Sequence, residues 1–406
     1  MSAPGAPAPA VPVAAAVAPP DPRRLLLILG ALSALGPASM DIYLPGLPAV
    51  AEDFGTTPSA VQLSVAVFLV GLGGGQLIAG PASDTFGRRP PMLIAIVLFA
   101  LASTACAAAP SIGVLLGARL VQGAAASAGI AIARAVIRDL YHGSLGARML
   151  SRLVLIYGLA PVLAPAIGAL VLQVTSWRGV FGVLVGLSAL LLLATARTLP
   201  ETLPPERRNP GSVSATRRRF GLLLRHRVFV GYALTLAFSS GALIAYVAGS
   251  PFLFQETYGV SAQVFGLIFG ANAVAMIAAS QLNAHLVTHI PPRRLLAAAV
   301  GVTIGVATVF VGAVLADLGI WVVAPCLLGL LCTWGFIPPN AIALAMRDHP
   351  EIAGTASALA GVFQYGIGSL AAPLAGVGGT PALPMALTML GSGVLSAVAV
   401  HVVARE

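Results

Sequence analysis

Apolar windows follow one another along the chain near 25–45, 60–80, 91–109, 112–133, 153–173, 179–196, 229–250, 262–282, 295–315, 318–345, 354–376 and 382–400, with little polar sequence between them. Each approaches the ~20 apolar residues that a helix needs to cross a bilayer. Backbone groups in hydrocarbon must pair within their own segment, so windows of this length become helices. The sequence therefore predicts an all-α membrane protein with twelve transmembrane helices. Twelve spans use roughly 240 of the residues, which leaves short loops, one longer connection and no large extramembrane domain. Charged residues make up 9% of the chain, against about a quarter in a soluble domain. The chain is rich in Gly and Pro, but its 58% hydrophobic content excludes a disordered protein.

The formal charge of +9 has to be read by position. No Lys occurs, so every basic residue is Arg. Numbering the loops from a cytoplasmic start places all the arginines on one side except Arg119 and Arg178, while the opposite loops carry Glu52, Asp53, Glu256 and Asp317. Cytoplasmic loops collect basic residues. The expectation is a multi-pass protein of the cell (cytoplasmic) membrane with both termini cytoplasmic, its charge serving topology and no nucleic-acid partner. Residues 1–22 are Ala- and Pro-rich without a period and read as a disordered tail. The run after Arg23-Arg24 continues to about Pro45 without a cleavage pattern, which favours an uncleaved first span. Residues 23–198 form an N-terminal six-helix bundle, 199–227 a cytoplasmic linker with seven Arg, and 228–406 a C-terminal six-helix bundle. Arg88-Arg89 before the third span and Arg293-Arg294 before the ninth lie about half a chain apart, which suggests parallel repeats with a substrate site between them.

The loop after the second span reads G-P-A-S-D-T-F-G-R-R-P, Gly80 to Pro90. Gly80 and Gly87 permit a tight turn, Asp84 can cap a helix or meet Arg across the bundle, and Arg88 and Arg89 anchor the loop at the inner leaflet. This loop resembles the signature of the major facilitator superfamily, which implies that Asp84 helps latch the two halves when the cytoplasmic side is closed. In the second half the matching stretch keeps only the Arg pair. R-L-V-Q-G, Arg119 to Gly123, resembles the second motif of the family, whose Arg sits in the central cavity. Gly158 to Ala169, with Pro161, Pro165 and Gly168, resembles its antiporter motif, although Ala164 and Ala169 stand where that motif has Gly. A Pro-kinked packing helix is the plainer reading of the same residues.

The chain is further similar to the bicyclomycin-resistance (Bcr/CflA) group of drug exporters. The similarity rests on M-D-I-Y-L-P-G-L-P from Met40, P-E-T-L-P-P-E-R-R from Pro200, L-L-R-H-R from Leu223 and A-G-T-A-S-A-L-A-G from Ala353. It implies antiport of protons against bicyclomycin, chloramphenicol-type or other drugs by alternating access. A metabolite exporter of the same fold, for an amino acid or sugar, is the alternative.

Within the windows only Asp41 and Arg119 are formally charged. An ionisable residue there marks a functional site by default. Both fall at similar depth, and the resemblance implies that spans 1 and 4 lie side by side on the cavity, so an attraction between them is expected, with Asp41 carrying the proton and Arg119 responding to its charge state. The alternatives are an interfacial Asp41 capping the P-G-L-P turn and an Arg119 anchored to backbone carbonyls. Substrate-facing candidates are Tyr43, Gln62, Tyr157, Phe238, Tyr246, Asn272, Asn340, Phe363 and Gln364, polar or aromatic groups among the apolar walls that suit a small amphipathic drug.

Other patterns carry little. Gly71-x-x-x-Gly75 reads as helix packing rather than a dinucleotide fingerprint. No phosphate loop exists, and the six His fall in loops or at span ends. Cys106, Cys326 and Cys332 lie in apolar runs and read as core residues. Neither a cofactor nor a metal is expected, nor an enzyme, which would need a cluster of reactive groups at one membrane face. A monomer is expected.

Overall fold

The computed structural model describes residues 21–208, 213–348, 352–378 and 382–404; the tail expected over 1–22 lies almost wholly outside them. The N half holds α1 (Pro22–Asp53), α2 (Pro58–Phe86), α3 (Arg89–Ala107), α4 (Ile112–Leu140), α5 (Gly143–Val174) and α6 (Trp177–Thr198). The C half holds α7 (Arg227–Thr257), α8 (Ala262–Leu286), α9 (Pro292–Leu315), α10 (Ile320–Met346) and α12 (Ala382–Val403), with α11 formed by Ala353–Gly368 and Ala371–Leu374. All but the interrupted α11 are long and apolar enough to cross a membrane. The linker carries one helix, Val213–Arg225, that packs on α7 and α11.

Several helices outrun the apolar windows. α4 continues through Arg134, Arg138 and Asp139, and α5 begins at Gly143, so Arg148 and Arg152 lie on helix rather than in a loop. Turns outside hydrocarbon need no apolar run, because water satisfies their exposed faces. Proline shapes the rest. α1 narrows to a 3₁₀ turn at Leu44–Gly46, between Asp41 and the short helix Leu47–Asp53. α5 breaks at Leu159, just before Pro161.

In a bilayer the lipid is as apolar as the protein core, so helices associate through close packing. The outer surface is accordingly greasy, with Ile78, Leu155, Leu190 and Leu267 all exposed. Inside, α2 and α4 meet backbone to backbone. A Cβ at Gly71 would lie 2.2 Å from the Leu120 carbonyl oxygen, one at Gly75 2.5 Å from that of Ala124, and one at Gly123 2.0 Å from that of Phe68. Gly71-x-x-x-Gly75 is therefore a packing face.

The halves meet along α2–α11 and α5–α8. Hydrogen bonds between them run from Ser59 Oγ to the Pro373 carbonyl (2.8 Å), Gln62 Nε2 to Ala248 (3.1 Å), Gln255 Nε2 to Pro45 (3.1 Å) and Gln263 Nε2 to Ala169 (3.4 Å). All four lie toward the face opposite the arginine-rich one. Among the described residues, no hydrogen bond between side chains of α1–α6 and α7–α12 occurs at the arginine-rich face.

Candidate transport site

Asp41 ends the first segment of α1 and is 2% exposed. The helix resumes beyond it as far as Asp53, and Asp41 is enclosed within the protein. Its carboxylate makes no hydrogen bond or ion pair among the described residues, and it lies within electrostatic reach of Tyr246 on α7. Tyr246 accepts a hydrogen bond from Asn272 Nδ2 on α8 at 2.9 Å, and its ring stacks on Phe269 with centroids 5.3 Å apart. Tyr246 and Asn272 thus form a bonded pair in the C half, within electrostatic reach of Asp41.

The antiporter-like motif borders the same place. A Cβ on Gly168 would sit 2.0 Å from the carbonyl oxygen of Ile42, the residue after Asp41. Only Gly lets α5 press on the α1 backbone there. On the other side of α5, the Pro165 carbonyl oxygen lies 3.1 Å from a Cβ built on Gly266 of α8. Pro161 follows the break in α5. The motif is thus wedged between the Asp41 turn and the C half.

Arg119 is fully buried and does not pair with Asp41, contrary to the sequence expectation. Its Nη1 donates to Gln122 Oε1 (2.6 Å) and to the Ser39 carbonyl (3.2 Å). Gln122 Nε2 donates in turn to Ser103 Oγ (2.7 Å). The guanidinium lies over the rings of Phe68, Tyr43 and Phe181, with centroid distances of 4.2, 5.1 and 5.9 Å. Ring faces attract a cation and need no proton acceptor. Tyr43 therefore belongs to the Arg119 cage, where its hydroxyl accepts from Ser64 Oγ at 3.4 Å.

The remaining candidates scatter. Gln62 spans the halves through its bond to Ala248. Asn340 is held inside the C half by Asn283 (2.6 Å) and the Phe336 carbonyl (2.8 Å), so it braces α8 against α10. Phe363 packs on the C-half core, and the Gln364 carbonyl accepts from Ser240 Oγ at 2.8 Å. Tyr157 and Phe238 are half-buried. Cys106 and Cys326 are buried and Cys332 half-buried, all as free thiols.

The stretch from Gly80 to Arg89, helical as far as Phe86 and turning at Gly87 and Arg88, forms a clamp within the N half. Gly87 adopts a φ of +90°, which favours glycine. Asp84 pairs with Arg88, four residues on, so the cross-bundle arginine contact expected of it is not made here. Arg88 Nε donates to Asp139 Oδ2 on α4 at 2.8 Å. Glu201, at the start of the linker, accepts from the backbone N–H groups of Arg88 (2.7 Å) and Arg89 (3.2 Å). Arg89 Nη2 reaches the Ala196 carbonyl at 2.7 Å. Gly80, expected to permit the turn, instead lies inside α2 beside open space, and the turn is made at Gly87.

Sequence reasoning assigned no role to Gln122, Ser103, Asp139 or Glu201. Gln122 stood within the quoted R-L-V-Q-G, one helical turn from Arg119, and Glu201 within the quoted P-E-T-L-P. Ser103 and Asp139 lack any local signal, since their roles depend on which helix packs opposite.

The model of the Major Facilitator Superfamily matches residues 26–373. An uncharacterized MFS-type transporter, YdgK, of Bacillus subtilis (strain 168) is 40% identical over 398 residues, covering 96% of this chain and 98% of its own. A bicyclomycin resistance protein homolog of Haemophilus influenzae is 33% identical over 382 residues, covering 93% and 95%. Among solved structures, a variant of the nucleoside transporter NupG superposes with a TM-score of 0.79 at 13% identity, over 95% of this chain and 100% of that one. With twelve helices in two six-helix bundles and a family match over most of its length, the chain belongs to the major facilitator superfamily, in its bicyclomycin-resistance drug-efflux group.

Proposed function

We propose that this protein exports small amphipathic drugs across the cell membrane in exchange for protons, with its arginine-rich face and both termini in the cytoplasm. Asp41 carries the reading. Proton coupling needs a group that is neutral in one state and charged in another, and a buried carboxyl without a resident counter-charge meets that need. Its place one residue before the Ile42 backbone that α5 presses on, and within electrostatic reach of Tyr246 in the C half, lets its charge bias how the halves meet. Bonds between the halves on the face opposite the arginines fit a state open toward the cytoplasm. In that state the Asp84 latch is disengaged and pairs locally with Arg88. The kinship with a bicyclomycin resistance protein homolog favours drugs over metabolites as the cargo.

The test is drug-induced proton movement in proteoliposomes, preceded by a resistance panel in an efflux-deficient host to find a substrate. Asp41→Asn should bind drug but lose the proton signal at least tenfold, and Asp41→Glu should retain part of it. A wild-type proton signal in Asp41→Asn would remove Asp41 as the carrier. Release of a metabolite with no change in drug resistance would replace the cargo.

A further inference from the structure

At the arginine-rich face, the first turns of α1 and the last turn of α6 flank a cavity of ≈590 Å³ bordered by Asp21, Arg23, Arg24, Leu27, Ala194 and Arg197. Three guanidinium groups meet one carboxylate there, and that carboxylate already accepts the Arg23 backbone N–H at 3.0 Å as the cap of α1. Elsewhere on this face, the ion pairs among the described residues are those of Arg88 with Asp84 and Asp139 and of Arg347 with Asp348. Arg23, Arg24 and Arg197 take part in no ion pair among the described residues. Residues 1–20 contain no Asp or Glu, so the preceding chain supplies no counter-charge.

Below this rim the surface turns apolar. On α6, Leu190 (63% exposed), Leu193 (48%) and Arg197 recur at three- and four-residue spacing and so share one face. On α1, Leu27 (62% exposed) lies one turn below Arg23 and Arg24. Basic groups at the headgroup level above two greasy stripes complement a lipid in both charge and polarity.

We propose that this cavity holds the headgroup of an anionic phospholipid of the cytoplasmic leaflet, its phosphates on Arg23, Arg24 and Arg197 and its acyl chains along Leu27, Leu190 and Leu193. Basic pockets between helices on the cytoplasmic side take such headgroups. Three arginines against one aspartate leave a net charge of +2, which matches the two phosphates of cardiolipin better than the single phosphate of phosphatidylglycerol. The choice of leaflet rests on the orientation proposed above, which cysteine labelling tests separately.

The experiment titrates the purified full chain in detergent with cardiolipin, phosphatidylglycerol, phosphatidylcholine and inorganic phosphate, following the melting temperature and the bound lipid by native mass spectrometry. Cardiolipin should stabilise saturably and be retained, phosphatidylglycerol should bind more weakly, and phosphatidylcholine should do neither. R23Q/R24Q/R197Q should weaken cardiolipin binding at least tenfold, and R197Q alone at least threefold. R23K/R24K/R197K, which keeps the charges that direct insertion, should bind within about threefold of wild type. R293Q/R294Q, at another edge of the same face, should bind as wild type does. Unchanged binding in R197Q and the triple Gln variant, or an equal loss in R293Q/R294Q, would overturn the site. Inorganic phosphate stabilising as strongly as cardiolipin would make it a free-anion site and overturn the lipid.

Discussion

Arg119 and Asp41 are the two charges buried in the spans, and the protein accommodates them differently. Arg119 is enclosed by three aromatic rings, a carbonyl and Gln122, all from the N half. Asp41 is left without a hydrogen-bond or ion-pair partner among the described residues, near the boundary with the C half. A Lys at 119 would keep the charge but lose the planar group that lies over the rings while bonding Gln122. Arg119→Lys should therefore lower drug transport at least tenfold in everted vesicles with normal membrane levels. If Asp41 carries the proton as proposed, then because Arg119 does not touch it, the pH midpoint of the remaining transport should stay where the wild type has it. A displaced midpoint would show that the two charges communicate after all. Scarcity of charge made both residues legible in the sequence. Their pairing was not legible, since the direction a side chain faces depends on how a helix is rotated against its neighbours. Gly129 illustrates this: its Cβ would lie 2.1 Å from the Leu32 carbonyl oxygen, a contact between α1 and α4 that no local pattern announces.

Among the elements, α5 shows how a motif acts through shape. Gly168 brings α5 onto the α1 backbone immediately after Asp41, and a larger residue must push the two apart. Gly168→Val should cut transport at least tenfold while the protein still inserts, and near-normal efflux would show that this contact is only packing. The loop between α2 and α3 makes a second case. Glu201 caps the backbone of Arg88 and Arg89 with charge-assisted bonds, so Glu201→Gln should destabilise the N half by about 1–2 kcal/mol, read as a lower melting temperature in detergent. If Asp84 latches the cytoplasm-closed state as proposed, Asp84→Ala should instead impair transport at normal expression; unimpaired efflux would leave it a local partner of Arg88. Hydropathy located every span but misjudged their ends. The final turns of α4 and the first turns of α5 carry Arg134, Arg138, Arg148 and Arg152, where a helix in water leaves no apolar trace.

Across the whole molecule, the positive residues predict an orientation that labelling can decide. In a background without Cys106, Cys326 and Cys332, single Cys at Glu52 and Glu256 should react with an impermeant reagent on intact cells, and one at Arg208 should not. Reaction at Arg208 would reverse the orientation. The same linker also sets a limit on travel. From Leu199 to Arg208 it is fastened to the N half, through Glu201 on the α2–α3 turn and Thr202 on Asp139 (3.2 Å), with Arg208 Nε folded back on the Leu203 carbonyl (3.3 Å). From Phe220 onward it is fastened to the C half, with Leu223 fully buried in that core. Between these fastenings the five steps from Arg208 to Val213 can span at most about 17 Å, and the seven helical steps from Val213 to Phe220 add about 10 Å. While both fastenings hold, the points where they end can separate no further than this, so the linker acts as a stop on how wide the arginine-rich side can gape.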